Sequence, residues 1–169
     1  MEATKINLLD LTQALPKSTR AIVNIFVHCT AGVQNESNAD LLKGFKDRGW
    51  KSPGYHVTVD ADGTAWCLQH PSLIANGVQG YNQYALHISY KGGVEQHNDK
   101  LVAVDNRTDA QKATLLKVLE HWRSQYPKAK IQGHRDVSPD LNHNGKIDSW
   151  EYIKQCPCFD AILEYKSLV

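Results

Sequence analysis

The sequence lacks the features that mark several large classes of protein. Its 169 residues contain no apolar run long enough to cross a bilayer, so we expect no insertion into a membrane. The N-terminus has no basic segment followed by an apolar one, and we expect no signal peptide. Four cysteines are too few for a disulfide scaffold. A formal net charge of +1 gives no sign of the basic surface that binds nucleic acid.

The overall composition is typical of one folded domain. Hydrophobic residues make up 41% of the chain and charged residues 22%, as in ordinary globular domains. The length is sufficient to bury one core without disulfide or metal staples. No repeat, linker or low-complexity segment divides the chain. We therefore expect a single domain over residues 1–169, and a monomer.

Strand and helix patterns alternate along the chain. Residues 22–27 and 84–90 are rich in β-branched and aromatic side chains and predict strands, and residues 55–69 predict a β-hairpin. Helices are predicted over residues 39–48 and after a capping box at residues 108–111. Four apolar residues are expected on one face of the second helix: Leu115, Leu116, Leu119 and Trp122. This alternation predicts an α/β fold with a central mixed β-sheet flanked by helices.

Metal-ligand residue types are concentrated between residues 132 and 160. His134 and Cys156 offer the nitrogen and sulfur donors that zinc prefers, and His28 follows directly after the predicted strand at residues 22–27. A strand that carries one ligand towards a loop that carries two more can build a metal site from distant residues. Spacing and composition alone do not select these three from eight histidines and four cysteines.

Between His134 and Cys156, residues 140–151 fit the oxygen-rich pattern of a calcium-binding loop, with Gly145 at the sharp turn. The possible calcium ligands are Asp140, Asn142, Asn144, the backbone carbonyl of Lys146, Asp148 through water, and Glu151. A calcium ion there would brace the approach to Lys154 and Cys156. The alternative is a turn rich in Asn, Asp and Gly that binds no ion.

Several short blocks of sequence, in order along the chain, resemble one enzyme family. The most specific are the segments FVHCTA at residues 26–31 and KQCPCFD at residues 154–160. The others are GYHV at 54–57, DGT at 62–64, GYN at 80–82, GG at 92–93 and GHRDV at 133–137. The chain thereby resembles the N-acetylmuramoyl-L-alanine amidase family, whose type-2 amidase fold is shared by phage T7 lysozyme and the peptidoglycan recognition proteins.

The resemblance implies a zinc hydrolase that acts on bacterial peptidoglycan. The bond that the family cleaves is the amide between the lactyl group of N-acetylmuramic acid and L-alanine. Carried over by residue, the family pattern implies His28, His134 and Cys156 as the zinc ligands. It also implies Tyr55 and Lys154 as the catalytic residues that face the reaction. Tyr81 and Asn82 are further candidates for contacts with the glycan or the peptide.

The chemistry of amide hydrolysis suits these residue types. Zinc with an open coordination position lowers the pKa of a bound water and polarises a carbonyl. Lys154 lies two residues before Cys156, so its charge can stabilise the oxyanion that develops during attack. Tyr55 can orient the water or move a proton.

The sequence departs from the family pattern at three places. The resemblance predicts an arginine where Gln69 stands, and a histidine in the loop where residues 75–77 read Ala-Asn-Gly. His87 replaces a small residue, and we interpret it as a packed histidine or one next to the metal ligands. His56 is expected to point away from Tyr55 and to be structural.

Two alternatives to a zinc amidase stay open on the sequence. Some recognition proteins of the family bind peptidoglycan without catalysis, but these usually lack the cysteine ligand that Cys156 supplies. A structural zinc site would require a fourth ligand such as Cys29 or Cys158. The substrate lies outside the cytoplasmic membrane and no export signal is visible. We therefore expect a phage or prophage endolysin, an enzyme with a specialised export route, or one whose signal peptide has been removed.

Overall fold

The computed structural model describes residues 2–168, and its strands form a six-stranded mixed sheet and a separate two-stranded sheet within residues 94–103. The strands are β1 (Thr4–Lys5), β2 (Asn24–Cys29), β3 (Val57–Val59), β4 (Ala65–Cys67), β5 (Ala85–Tyr90), β6 (Val94–His97), β7 (Lys100–Ala103) and β8 (Lys130–Gly133). The order in the main sheet is β1-β4-β3-β5-β2-β8. In this sheet β5 is parallel to β3 and to β2, and β2 is parallel to β8. Strand β4 is antiparallel to both β3 and β1.

The helices lie on both sides of this sheet, which confirms the predicted α/β fold. They are α1 (Leu11–Ala14), α2 (Asn38–Asp47), α3 (Asp109–Gln125) and α4 (Ala161–Glu164). The capping box predicted for α3 is present, with the Thr108 hydroxyl and the Gln111 side chain each accepting a backbone N–H. None of the helices within residues 2–168 combines the length and the apolar character needed to span a bilayer.

One face of the sheet is an apolar layer covered by α3. Alternate side chains of β2 and β5, such as Val27 and Ile88, point into it and are fully buried. The side chains of α3 that are fully buried there are Leu115, Val118, Leu119 and Trp122. The expectation that Leu116 shares this face is wrong, because Leu116 is rotated off the stripe and is 40% exposed.

The opposite face of the sheet is partly covered by α2. Ser37 caps this helix, whose bounds agree with the predicted helix to within one residue at each end. The buried side chains of α2 are those of Leu41, Leu42 and Phe45. They pack against Leu68 and against the partly buried rings of Trp50, Tyr55 and Trp66. The remaining part of this face carries the side chains of Phe26, His28, His56 and His87, all buried. The candidate site lies there.

Residues 94–107, for which the sequence predicts no element, contain a two-stranded antiparallel hairpin of β6 and β7. Asn98 and Asp99 form its turn with φ angles of 45° and 62°. Asn and Asp tolerate this left-handed conformation, which a tight hairpin turn requires. The hairpin side chains are mostly exposed, so no alternation of apolar and polar residues marks the strands.

Candidate metal centre and active-site cleft

Three potential metal ligands converge at the carboxyl ends of two neighbouring parallel strands. His28 lies on β2, His134 follows directly after β8, and Cys156 comes from the loop before α4. Ligand atoms of these residues all lie within 4.8 Å of one another. Within residues 2–168, no other group of three or more His, Cys, Asp or Glu side chains meets that condition. The structure therefore brings the three predicted zinc ligands together.

Local contacts hold the three ligands in place. The backbone N–H of Arg135 donates to the Cys156 carbonyl at 2.8 Å, which ties the cysteine loop to the turn after β8. The backbone N–H of Cys29 donates to Cys156 Sγ at 3.3 Å. His28 Nδ1 lies 3.6 Å from Cys156 Sγ, and the rings of His28 and His134 meet edge to face at 5.1 Å. Nδ1 is thus the atom of His28 that faces the other ligands.

Burial keeps both histidines neutral near pH 7. His28 is 1% exposed, and burial followed by the charges of His134 and Lys154 holds its pKa well below the usual range. Burial and then the charge of Lys154 lower the pKa of His134 to about 4. A neutral imidazole has a free lone pair for a metal, so both rings are in the state that zinc requires.

Cys29 and Cys158, the two candidates for a fourth ligand, contact each other. Cys29 Sγ and Cys158 Sγ lie 3.7 Å apart, and the Cys158 thiol donates to the Gly93 carbonyl at 3.3 Å. A hydrogen bond with Cys156, together with burial, raises the pKa of Cys29 to about 12. A hydrogen bond with Cys29 and burial raise the pKa of Cys158. Neither sulfur belongs to the group of ligand atoms that lie within 4.8 Å of one another.

A cleft of about 800 Å³ runs beside the cluster. Its lining includes Trp50, Lys51, Tyr81, Asn82, His134 and Lys154. His134 is therefore the potential ligand that borders the cleft, whereas His28, Tyr55 and Cys156 lie outside its lining. A volume of this size is sufficient for a ligand larger than a single amino acid.

The two predicted catalytic residues lie close to the ligands but in different settings. Tyr55 is half-buried, its ring lies 5.2 Å from that of His28, and its hydroxyl donates to the Cys29 carbonyl at 3.3 Å. Burial raises the pKa of Tyr55, so the hydroxyl stays protonated. Lys154 is exposed and lines the cleft with His134. Tyr55 can donate a hydrogen bond there, and Lys154 can supply positive charge.

The two predicted substrate-binding residues stand on the cleft wall. Tyr81 is 39% exposed, and its ring meets Phe26 edge to face at 5.6 Å. The Asn82 side-chain oxygen accepts the backbone N–H of Val78 at 2.7 Å, which closes the turn between them. The Tyr81 ring is thus available for stacking, whereas the oxygen of Asn82 is engaged within the loop.

The predicted calcium loop is closed by its own hydrogen bonds. Glu151, 4% exposed, accepts the backbone N–H groups of Leu141, Asn142 and Asp148 at 2.7, 3.1 and 2.7 Å. Asp140 accepts the N–H groups of Asn144 and Gly145. The Asp148 carboxylate accepts the side-chain amides of Asn142 and Asn144. Both Glu151 oxygens are occupied by the backbone, and these contacts give no support to a bound calcium ion.

Two further residues lie near the site: His87, which the sequence analysis interprets as packed or next to the metal ligands, and Trp50, to which it assigns no role. His87, buried on β5, has its Nδ1 3.1 Å from His28 Nε2. Trp50 lines the cleft and stacks on Phe45 at 5.4 Å. His87 is near the site because β5 pairs with β2 and sets it opposite Phe26. One sequence does not reveal this pairing. The signal for Trp50 is an aromatic residue directly after the glycine that ends α2.

Comparison with known proteins identifies a family for most of the chain. Residues 18–157 match the family model described as N-acetylmuramoyl-L-alanine amidase. The endolysin of Enterobacteria phage K11 is 31% identical over 137 residues, which cover 80% of this chain and 80% of that protein.

Two solved structures share the fold at low sequence identity. The N-acetylmuramoyl-L-alanine amidase LysC from Clostridium intestinale aligns with a TM-score of 0.66 at 20% identity, over 88% of this chain and 86% of that one. Drosophila peptidoglycan recognition protein SD aligns with a TM-score of 0.62 at 14% identity, over 90% and 84%. The fold therefore occurs both in an amidase and in a recognition protein.

Proposed function

Because this chain belongs to the N-acetylmuramoyl-L-alanine amidase family, we propose that it is a zinc-dependent hydrolase of peptidoglycan. The bond it cleaves is the amide between N-acetylmuramic acid and the L-alanine of the stem peptide. The observation that carries this proposal is the convergence of His28, His134 and Cys156 from three distant segments. Similarity to a phage endolysin supports a role in cell-wall lysis.

The donor set fits a catalytic zinc ion. Two neutral imidazoles and one cysteine sulfur are ligand types found in catalytic zinc sites, where three protein ligands leave the fourth position open. Zinc held there would lower the pKa of a bound water and polarise the scissile carbonyl. Among residues 2–168, the group of ligand atoms contains neither Cys29 nor Cys158, which favours an open site with three protein ligands over a structural four-ligand one.

Lys154 and Tyr55 supply the remaining polar chemistry. Lys154 carries a positive charge at the cleft beside His134, where it stabilises the negative charge that develops on the carbonyl oxygen during attack. The Tyr55 hydroxyl, held protonated by burial, would turn its one proton from the Cys29 carbonyl to the attacking water and so orient that water.

Tyr81 and Asn82 contribute to binding of the glycan or the stem peptide along the cleft wall. The partner is bacterial peptidoglycan or its muropeptides, and no nucleic acid is involved. The chain acts as a monomer with one domain over residues 1–169. It acts on the cell wall after synthesis in the cytoplasm, as an endolysin does.

A purely binding function is the second candidate, because the fold is shared with a peptidoglycan recognition protein. Digestion of purified sacculi, followed by mass analysis of the soluble products, separates the two. An amidase releases peptides that begin with L-alanine and leaves the lactyl group on the glycan. The matched control is Cys156→Ser, which removes the sulfur ligand with little change in shape. Wild-type protein that binds sacculi but releases no peptide is a recognition module.

Calcium binding at Asp140, Asn142, Asn144, Lys146, Asp148 and Glu151 stays a prediction without support from the observed contacts. A calorimetric titration of chelator-treated protein with Ca²⁺ tests it. Heat together with a rise in the melting temperature would establish binding. No heat and no shift would identify the segment as a turn closed by its own hydrogen bonds.

A further inference from the structure

His87 makes a direct contact with a predicted zinc ligand. Its Nδ1 lies 3.1 Å from His28 Nε2, within hydrogen-bond distance, and both side chains are at most 1% exposed. His28 Nδ1 faces Cys156 Sγ on the other side of the ring, at 3.6 Å. The two nitrogens of His28 therefore have different neighbours, one in the ligand cluster and one on β5.

This contact has a defined direction once His28 binds a metal. Nδ1 must offer a lone pair to the ion, so the neutral ring carries its proton on Nε2. That N–H then donates to His87 Nδ1, which must be the unprotonated nitrogen of its own ring. The reverse arrangement, with His87 donating, would put the proton of His28 on Nδ1 and block it as a ligand. Metal-bound histidines are commonly oriented by such a partner on the second nitrogen.

The His87 ring is held rigidly between its neighbours. It stacks on Phe26 at 5.5 Å and on His56 at 5.7 Å, with interplanar angles of 9° and 5°. The backbone N–H of His87 donates to His56 Nδ1 at 3.0 Å. His56 Nε2 therefore carries a proton and donates to the Leu73 carbonyl at 3.0 Å. Side chains from β2 and from the residue before β3 thus fix the position of the His87 nitrogen that His28 meets.

Gly77 leaves the space that this ring occupies. A Cβ on Gly77 would collide with His87 Nδ1, so the loop and the strand are matched to each other. These are two of the positions at which the sequence departs from the family pattern, and in space they touch. The family pattern predicts a histidine in the loop at residues 75–77, and this chain has none there. The imidazole of His87, on β5, lies against Gly77 of the same loop.

The other nitrogen of His87 argues against a role in packing alone. Among residues 2–168, His87 Nε2 has no hydrogen-bond partner although it is buried. A buried polar atom without a partner costs stability, and an apolar side chain of similar size would avoid that cost. The contact with His28 gives a reason for a histidine at this place.

We propose that His87 is a positioning residue of the metal centre, whose Nδ1 accepts the Nε2–H of His28 and so presents His28 Nδ1 to zinc. This role rests on the zinc site proposed above. It requires an acceptor atom at the position of His87 Nδ1 and does not require an imidazole ring.

A matched pair of variants isolates the hydrogen bond. His87→Asn places an amide oxygen close to the position of Nδ1, and His87→Leu has nearly the same shape without an acceptor. Both lose the stacked ring equally. We expect His87→Leu to weaken zinc binding by about 10–100-fold, measured by competition with a chromophoric chelator. His87→Asn should recover most of that loss. Equal zinc affinities for the two variants would overturn the proposal.

Long-range ¹H–¹⁵N NMR spectra of the metal-free protein give a second readout. We expect His28 to carry its proton on Nε2 in the wild type and in His87→Asn, and to lose this preference in His87→Leu. A proton on His28 Nδ1 in the wild type would overturn the proposal, and this test needs no variant to fold. Failure of the wild type to bind zinc would instead reject the proposed zinc site, so the two failures are distinguishable.

Discussion

Lys154 and Tyr55 are held near the metal ligands in different ways. Lys154 is exposed on the loop that carries Cys156, so its ammonium group can follow a substrate in the cleft. Tyr55 is packed edge to face against Phe45 at 5.6 Å, which restrains the position of its ring. A flexible charge and a fixed donor suit the two roles proposed for them.

Removal of either group should reduce turnover and leave the metal in place. We expect Lys154→Ala and Tyr55→Phe each to lower the rate of peptide release by about 10²–10³, since each removes a donor that acts in the transition state. Zinc content should stay at the wild-type level because neither residue is a ligand. Lys43→Ala, on the exposed surface of α2, is the matched control. Wild-type rates in both variants would contradict the assigned roles.

His56 should make the metal-free protein sensitive to acid. Burial lowers its pKa to about 3, whereas an unfolded histidine has a pKa of about 6.5. As pH falls below about 6.5, His56 binds a proton in the unfolded state but stays neutral in the folded state. The free energy of unfolding therefore decreases. For one such group the loss between pH 7 and pH 5 is about 2 kcal/mol.

The variant His56→Asn separates this effect from those of other buried histidines. Its amide oxygen can still accept the N–H of His87 that His56 Nδ1 accepts. We expect the decrease in unfolding free energy from pH 7 to pH 5, measured by urea denaturation, to become smaller by about 2 kcal/mol. An unchanged pH dependence would show that His56 is not the group that takes up the proton.

At the scale of structural elements, the loop at residues 140–151 is closed by one buried side chain, that of Glu151. Glu151 alone gathers three backbone N–H groups from both ends of the loop. The loop leads into the segment that carries Lys154 and Cys156, so its shape bears on the site. An acceptor-rich side chain is needed at Glu151 whether or not an ion binds.

Glu151→Gln tests this account of the loop. The amide group of glutamine can still accept through one atom, but its NH₂ would face a backbone N–H. We expect a loss of about 1–3 kcal/mol in unfolding free energy, measured with a calcium chelator present. Asp148→Asn, on the more exposed side of the loop, should cost less. No difference in stability between wild type and Glu151→Gln would contradict the role of the carboxylate.

Sequence patterns located the buried elements better than the exposed ones. Strands β2 and β5 and helices α2 and α3 carry apolar or capping signals that arise from the chain itself. The hairpin of β6 and β7 was missed because its side chains face solvent and lack alternation. Helical spacing wrongly predicts Leu116 on the buried face, because three leucines and one tryptophan fit a helical stripe without showing where the stripe ends.

At the scale of the whole molecule, the sheet order creates the site. Strands β2 and β8 are far apart in sequence but adjacent and parallel in the sheet, so His28 and His134 meet at one edge. Cys156 is held beside them by the hydrogen bond that the backbone N–H of Arg135 donates to the Cys156 carbonyl. No spacing rule predicts this convergence, and only the family resemblance selected the three residues.

The sequence analysis allows His87 to lie next to the metal ligands, but one sequence does not identify His28 as its partner. The two residues are neighbours because β5 pairs with β2 in a specific register, with Phe26 opposite His87. Periodicity predicts which face a residue occupies within its strand, but not the strand beside it. The sequence does not predict the residues that line the cleft for the same reason, because they come from three loops, after α2, before β5 and after β8.

The most direct test of the central claim is the zinc coordination of the purified protein, measured by X-ray absorption at the zinc edge. The account predicts one zinc ion per chain, two imidazole nitrogens at about 2.0–2.1 Å, one sulfur at about 2.3 Å and one oxygen from solvent. Cys156→Ser should remove the sulfur signal. Two sulfurs, a fourth protein ligand, or no bound zinc at all would contradict an open catalytic site at His28, His134 and Cys156.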